Sequence, residues 1–407
     1  MFEYPNKLDI IFDKLALFEI KPIIVGGYVR DYILQIDSKD IDIELYGLDN
    51  LDTLEEILQE FGDVNSVGKS FGVCKLHFDE LEIDFSLPRS DSKIAAGHRG
   101  FSVTTDKTLD FKSAASRRDF TINAIGYDVK NKKLLDPYNG TQDIKNKVLR
   151  AVDIQKFSED PLRVLRGISF SARLEFKLDD VLLSLFKVLS KDNFLKELPK
   201  ERIYEEFKKL FLKSKTPSIG LKLLQELKLL DYFSFNECYE QVDYFAKNKS
   251  NNSHIDMVIF FSLLYTKDTL QVIDLLTNKL TLITNIKLFL EEKENINIHD
   301  HSNYAIYKLA TRVNIEYFLL FLNAYYTGSK NENIDTLKNK AKLLGVYNKQ
   351  LSPMIHGKDL ITLGLLPSKQ FSSIILDVYE AQMREEINTV TEANQWLNTY
   401  LKEKKLL

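Results

Sequence analysis

The chain is poor in sulfur: two cysteines, Cys74 and Cys238, in 407 residues. They lie far apart, with no His or Cys at metal-ligand spacing. A disulfide framework and a structural zinc site are therefore not expected, and free thiols suit a reducing cytosol. Long hydrophobic runs are lacking too. Stretches such as Met257 to Tyr265 fall far short of the roughly 20 residues of a membrane span and read as buried helices, so no membrane partner is expected. The N-terminus, Met-Phe-Glu-Tyr-Pro-Asn-Lys, lacks the basic-then-apolar pattern of a signal peptide, and a cytoplasmic location is expected. There is no internal repeat, no long low-complexity tract and no strong net charge. At −4 the chain does not advertise a nucleic-acid binder.

What is present is an ordinary globular composition, 44% hydrophobic and 28% charged, in a chain long enough for two or more cored domains. Charge is unevenly placed. Residues 31–64 carry eleven acids and one base, and residues 112–177 carry fourteen bases and eight acids. Such a chain can gather metal in one place and a polyanion in another; solvated faces give the same pattern by chance.

The first ~145 residues mix short β-like runs with helices. Ile23–Val25 and Ile41–Leu45 read as strands, and Val73–Phe78 and Leu81–Leu87 as a hairpin around Asp79-Glu80. Thr121–Val129 and Leu134–Leu135 read as further β segments, and Val29–Leu34 and Leu51–Phe61 as helices. After Asp143 helical periodicity dominates. Pro161–Leu174, Val181–Ser190, Glu201–Leu212, Ser218–Leu230, Met257–Tyr265, Leu270–Leu282, Tyr304–Val313 and Ile315–Tyr325 all read as helices, with polar loops at 247–253 and 328–333.

Four segments carry chemistry. In Gly26-Gly27-Tyr28-Val29-Arg30-Asp31, a Gly-Gly turn follows an apolar strand and opens a helix. Alone it reads better as a structural turn; with Arg30 one turn on, it reads as a triphosphate cradle. Asp40 and Asp42 alternate with isoleucines, so a strand presents both carboxylates on one face, where they can hold Mg²⁺ against a nucleotide. Asp84 either completes that metal site from a neighbouring strand or faces outward. Arg117 and Arg118 offer guanidinium forks to a triphosphate or an RNA backbone, or form a solvated basic turn. Ser158 reads as the N-cap of a helix with Pro161 near its start. Asp160, Arg163 and Arg166 share one face of it. They either form an ion pair or read the base edge shared by ATP and CTP, Asp accepting from the amine and Arg donating to the ring.

With these segments in this order, the chain resembles the class II tRNA nucleotidyltransferase family: the CCA-adding enzymes and bacterial poly(A) polymerases, with the CCA-adding type the nearer. The resemblance runs from Ile23 to about Leu212. It rests on Val25-Gly-Gly-Tyr-Val-Arg-Asp31 with Asp40-Ile-Asp42, on Arg117-Arg-Asp-Phe-Thr-Ile-Asn-Ala124, on Asp136-Pro-Tyr-Asn-Gly140, on Glu159-Asp-Pro-Leu-Arg163 and on Glu201-Arg-Ile-Tyr-Glu-Glu-Phe207.

The resemblance implies an elongated molecule with an α+β head, a small mixed β-sheet with helices, followed by an all-α neck, body and tail. The divisions expected are a catalytic head over 1–145, a nucleotide-selecting neck over 146–215, a body over 216–290 and a tRNA-binding tail over 291–407. Asp40 and Asp42 are implied as catalytic metal ligands of a two-metal Mg²⁺ site. Gly26, Gly27, Arg30, Arg117, Arg118, Asn123 and Arg166 are implied as triphosphate and nucleotide ligands, and Asp160 and Arg163 as base readers. Lys93, Gly97, His98 and Phe101 fall in a flexible loop that, in the family, lets the site switch from C to A. One departure stands out: Ser169 occupies a position where many members carry arginine.

The implied reaction is attack of the tRNA 3′ hydroxyl on the α-phosphate of CTP or ATP, adding C, C and A with release of pyrophosphate. An A-adding specialist and a poly(A) polymerase are the alternatives, then a non-catalytic RNA-binding homologue. No paired His-Asp phosphohydrolase motif occurs in the helical half.

Overall fold

A computed structural model describes all residues except 1, 49, 66–71, 94–100, 107, 192–193, 328–331 and 405–407; it does not describe the side chains of 90–93, 101–104 and 197. The chain forms two compact units, Met1–Tyr232 and Phe233–Leu407.

The first unit opens with α1 (Asp9–Leu17), β1 (Lys21–Val25), α2 (Gly27–Ile33), β2 (Asp40–Tyr46), α3 (Leu51–Leu58) and β3 (Asp63–Asn65). β4 (Val73–Phe78), β5 (Leu81–Ser86), β6 (Arg89–Lys93), β7 (Phe101–Thr105), α4 (Phe111–Ala115), β8 (Gly126–Asp128) and β9 (Lys133–Leu135) follow. Seven strands make one sheet in the order β3-β4-β5-β2-β1-β8-β9. Its β2–β5 pair is parallel and the neighbouring β1–β2 and β4–β5 pairs are antiparallel, so the sheet is mixed, as expected. Strand alternation sets its faces. Ile41, Ile43 and Leu45 are buried on one side of β2, which leaves Asp40, Asp42 and Glu44 on the other.

The helical part of this unit comprises α5 (Gly140–Asn146), β10 (Val148–Leu149), α6 (Ile154–Ser158), α7 (Leu162–Leu174), β11 (Lys177–Leu178), α8 (Asp180–Lys191) and α9 (Lys200–Lys213), then Ser218–Glu226 and Leu229–Tyr232. α7 lies against α9, and Leu165, Ile168, Phe207 and Leu210 line the seam between them. The regular elements of the second unit, among its described residues, are all helices. Among the described residues of the chain, no helix is long and apolar enough to cross a membrane.

Several local expectations need correction. Thr121–Val129 is not one strand: Thr121–Asn123 is a 3₁₀ turn, closed by Asn123 N donating to Phe120 O, and only Gly126–Asp128 is strand. Ser158 does not cap α7. It ends α6, its hydroxyl bonding Gln155 O, while Asp160 accepts the amide of Leu162 at 3.1 Å and takes the capping role. Ser218–Leu230 breaks where Lys228 turns to φ 58°, which redirects Leu229 and Leu230 into the core. Leu270–Leu282 is a 3₁₀ turn followed by a helix from Leu280; the Thr277 hydroxyl, accepting Lys279 N, marks the break. The segment expected as a flexible loop is a hairpin at its base, β6 against β7, with Lys93 opposite Phe101. Gly97 and His98 lie outside the described residues.

Candidate active site

The turn after β1 begins the site. Gly26 takes φ +72°, a conformation glycine adopts without strain. A Cβ placed there would stand 2.8 Å from Arg118 Nη1 and 3.6 Å from an Asp42 carboxylate oxygen, so a side chain would displace the Arg118 guanidinium. α2 starts at Gly27 and aims its amide groups past this turn. One turn on, the buried Arg30 is fixed from two sides. It binds Asp31 at 2.6–2.8 Å and donates to Asn123 Oδ1 at 2.6 Å.

β2 brings the carboxylates. Asp42 is paired with Val25 on one side and, in parallel register, with Asp84 on the other. Burial pushes its carboxyl above the usual range; Arg118 opposes this, and the negative charges of Asp84 and Asp40 add to it. A cation at this face would relieve that repulsion, and oxygen-only ligands suit a hard divalent ion. The residues present therefore fit Mg²⁺ held by the Asp40/Asp42 pair. Asp84 is tied to Lys75 Nζ at 2.9 Å. Among the described residues no group of three His, Cys, Asp or Glu is placed to hold a metal ion.

The segment between α4 and β8 forms the next wall. Arg117 donates to Glu44, a fully buried carboxylate, at 3.0 Å. Arg118 donates to the Asn123 carbonyl at 3.3 Å, and its Nε is buried without a partner. Asp119, 7% exposed, is the hub. Its carboxylate accepts from Asn123 Nδ2 (2.9 Å), its neighbour's amide Phe120 N (2.8 Å) and both Nε and Nη2 of Arg166 (2.8 and 2.6 Å). Burial alone would raise this carboxyl; the charge of Arg166 and the donated hydrogen bonds outweigh it and hold the pKa at about 2. A continuous chain, Arg30–Asn123–Asp119–Arg166, thus joins the glycine turn to α7.

α7 closes the cavity. Arg163 donates to the carbonyls of Lys156 and Arg117 at 3.2 and 2.6 Å and lies 5.7 Å from the Phe157 ring. Phe170 is faced by three guanidinium groups, Arg30 at 5.2 Å, Arg166 at 5.7 Å and Arg173 at 5.0 Å. Such contacts hold charged side chains at fixed angles.

Together these elements enclose a cavity of about 440 Å³. Gly26, Gly27, Arg30, Asp42, Arg117, Arg118, Asn123, Asp160, Arg163 and Arg166, all picked out in the sequence, line it. Asp40 and Asp84 flank Asp42 on the sheet and are not part of that lining. Four further lining residues had no assigned role: Arg89, Asp119, Phe170 and Arg202. Asp119 and Arg202 sit inside motifs already quoted, so proximity in sequence was the available signal. Nothing in the sequence marks Phe170 or the buried acceptor Glu44.

Carboxylates, a glycine-opened helix and a set of arginines line one cavity, a donor-rich environment suited to a polyanion. Comparison with known proteins takes this further. Residues 23–150 match the family described as "Poly A polymerase head domain", and residues 175–235 match "Probable RNA and SrmB- binding site of polymerase A". A CCA-adding enzyme of Buchnera aphidicola is 32% identical over 282 residues, 68% of this chain and 65% of the relative. One from Francisella tularensis is 37% identical over 210 residues, 51% of this chain and 56% of the relative. The chain thus spans less than two thirds of the length of these curated relatives.

Among solved structures, the Bacillus stearothermophilus CCA-adding enzyme in complex with CTP superposes with a TM-score of 0.77 at 19% identity, covering 99% of both chains. The Thermotoga maritima CCA-adding enzyme complexed with tRNA has a TM-score of 0.65 at 21% identity, covering 98% of this chain and 96% of that one. These establish the fold. Residues 23–150 match the poly(A) polymerase head domain, and the chain is similar in sequence and fold to the CCA-adding enzymes.

Proposed function

We propose that the protein is a CCA-adding tRNA nucleotidyltransferase, extending a tRNA 3′ end with C, C and A from CTP and ATP. The observation that carries this reading is the single cavity that places Asp42 and the Gly26–Gly27 turn in one space with Asp160 and Arg163. The glycine turn and arginines suit triphosphate, and Asp160 and Arg163 bring an acceptor and a donor to the same cavity, the pair of groups that complements the base edge of C and A.

In this reading the amides at the start of α2, with Arg30 and Arg118, bind the triphosphate. Arg117, Asn123 and Arg166 complete the nucleotide pocket, with Arg166 set by Asp119. Asp160 and Arg163 read the base. No Asp160–Arg163 ion pair is formed among the described contacts, which leaves the Asp160 carboxylate to accept from a base amine as well as from Leu162 N. Mg²⁺ bound by Asp40 and Asp42 would activate the 3′ hydroxyl and neutralise charge on the phosphates. The protein's own contribution is positioning and charge stabilisation by arginines already locked by hydrogen bonds. The head over 1–145, the neck over 146–215, the body over 216–290 and a tRNA-binding tail over 291–407 belong to this proposal, as does a cytoplasmic location.

The test is single-nucleotide extension of tRNA transcripts ending before the first C, after CC and after CCA, each given CTP, ATP, UTP or GTP with Mg²⁺. Addition of CC and then one A, with a stop, is the expected result. Extension of only the CC-ended transcript would make the protein an A-adding specialist, and long A tails on any RNA a poly(A) polymerase. No incorporation would refute the reading.

A further inference from the structure

We propose that Arg202, at the start of α9, binds a phosphate oxygen of the substrate inside the cavity. The inference rests on the nucleotidyltransferase reading and adds a residue from a second helix, α9, to the nucleotide pocket.

Seven arginines line the cavity. Arg30 is held by Asp31 and Asn123, Arg117 by Glu44, Arg166 by Asp119, and Arg163 and Arg118 by backbone carbonyls. Arg89 is also engaged. Arg202 differs. Among the described residues its side chain has no hydrogen bond and no ion pair, and its Nη1 is buried without a partner. The carboxylate one turn along α9, Glu206, is buried and committed to Lys209 at 2.8 Å. Burying a guanidinium N–H with nothing to receive it is costly, and such groups are rare in folded proteins. The simplest compensation is an acceptor that arrives with the ligand.

Phosphate is the acceptor the surroundings select. Seven guanidinium groups line the cavity against five carboxylates, those of Asp42, Asp119 and Asp160 in its lining and those of Asp31 and Glu44 paired with Arg30 and Arg117. An anion with several oxygens matches this excess, and the guanidinium fork matches phosphate geometry. Two sources carry that chemistry here, the triphosphate of the nucleotide and a backbone phosphate of the acceptor RNA.

The experiment compares wild type with Arg202→Lys and Arg202→Gln in three readouts. Equilibrium binding of ATP, ADP and AMP without RNA tests the nucleotide source. A loss of about tenfold or more for ATP in Arg202→Gln, with AMP unchanged and Arg202→Lys intermediate, supports a triphosphate contact. An unchanged ATP affinity with a similar rise in KM for tRNA supports the RNA phosphate. Thermal unfolding separates either from a structural role: with no partner to lose, Arg202→Gln is expected to melt no lower than wild type. Unchanged ATP affinity together with unchanged KM for tRNA would overturn the proposal, as would a lowered melting temperature with equal losses for ATP and AMP. Failure of the wild-type protein to bind any nucleotide would instead overturn the underlying reading, and this proposal with it.

Discussion

Replacing Asp119 by Asn is the perturbation with the most calculable consequence. The carboxylate is buried, accepts four hydrogen bonds and has its pKa held at about 2 instead of 3.8. At roughly 1.4 kcal/mol per pH unit, that depression corresponds to about 2–3 kcal/mol of stability at neutral pH. Asn keeps the shape but removes the charge, and it leaves Arg166 without its ion-pair partner. Breaking a buried pair costs about 3–5 kcal/mol, and the partial exposure of Arg166 discounts this toward about 2–3 kcal/mol.

The pH dependence has a definite sign. A depressed carboxylate stabilises the fold fully above its ordinary pKa and loses that contribution as pH falls through the folded value. The gap between wild type and Asp119→Asn should therefore be largest at pH 7 and shrink to about half by pH 3. Urea unfolding followed by far-UV circular dichroism measures it. The only tryptophan, Trp396, lies in the second unit, so its fluorescence reports that unit separately. A variant within about 0.5 kcal/mol of wild type at pH 7, or a gap that does not narrow on acidification, would refute the assignment of Asp119 as the charged hub.

Other outcomes follow from the same geometry. Asp42→Asn should reduce extension by about a thousandfold or more, since metal-assisted charge stabilisation is worth several kcal/mol; a primer-extension rate near wild type would contradict the carboxylate assignment. Gly26→Ala forces a Cβ against Arg118 Nη1 in a left-handed backbone and should weaken nucleotide binding while costing about 1–2 kcal/mol of stability, read by nucleotide titration and melting. Asp160→Ala should reduce discrimination of CTP and ATP against UTP and GTP by about tenfold or more. It should also cost about 1 kcal/mol of stability, because it removes the cap on Leu162 N. Competition extension assays and melting read the two effects.

Much of this site was legible because two simple periodicities placed it. The alternation of Asp40 and Asp42 with Ile41 and Ile43 predicted a strand with acids on one face, and β2 is that strand. The three-residue spacing of Asp160, Arg163 and Arg166 predicted one helical face; Arg163 and Arg166 are on α7 while Asp160 precedes it, and all three line the cavity. What the sequence did not reveal were the acceptors. Asp119 and Glu44 work by receiving guanidinium groups from distant segments, and burial of a polar residue against a partner 47 or 73 positions away leaves no local pattern. Arg202 was hidden for the same reason: its meaning lies in lacking, among the described residues, a partner that the other arginines lining the cavity have. The α7 cap was misplaced by local preference. Ser158 is a good capping residue, but the helix begins only after Pro161, at Leu162, whose amide Asp160 accepts instead. The polar stretch from Arg89 to Phe101 read as loop because it is not apolar, yet its ends pair as β6 and β7, where backbone hydrogen bonds suffice.

The most direct measurement of the central claim is the selectivity of wild type and Asp160→Ala on a CC-ended tRNA transcript offered all four nucleotides. The account predicts one A and a stop for wild type, with UTP and GTP used measurably by the variant. A variant that keeps wild-type selectivity, or a wild-type protein indifferent to the base, would contradict base reading by the Asp160–Arg163 wall.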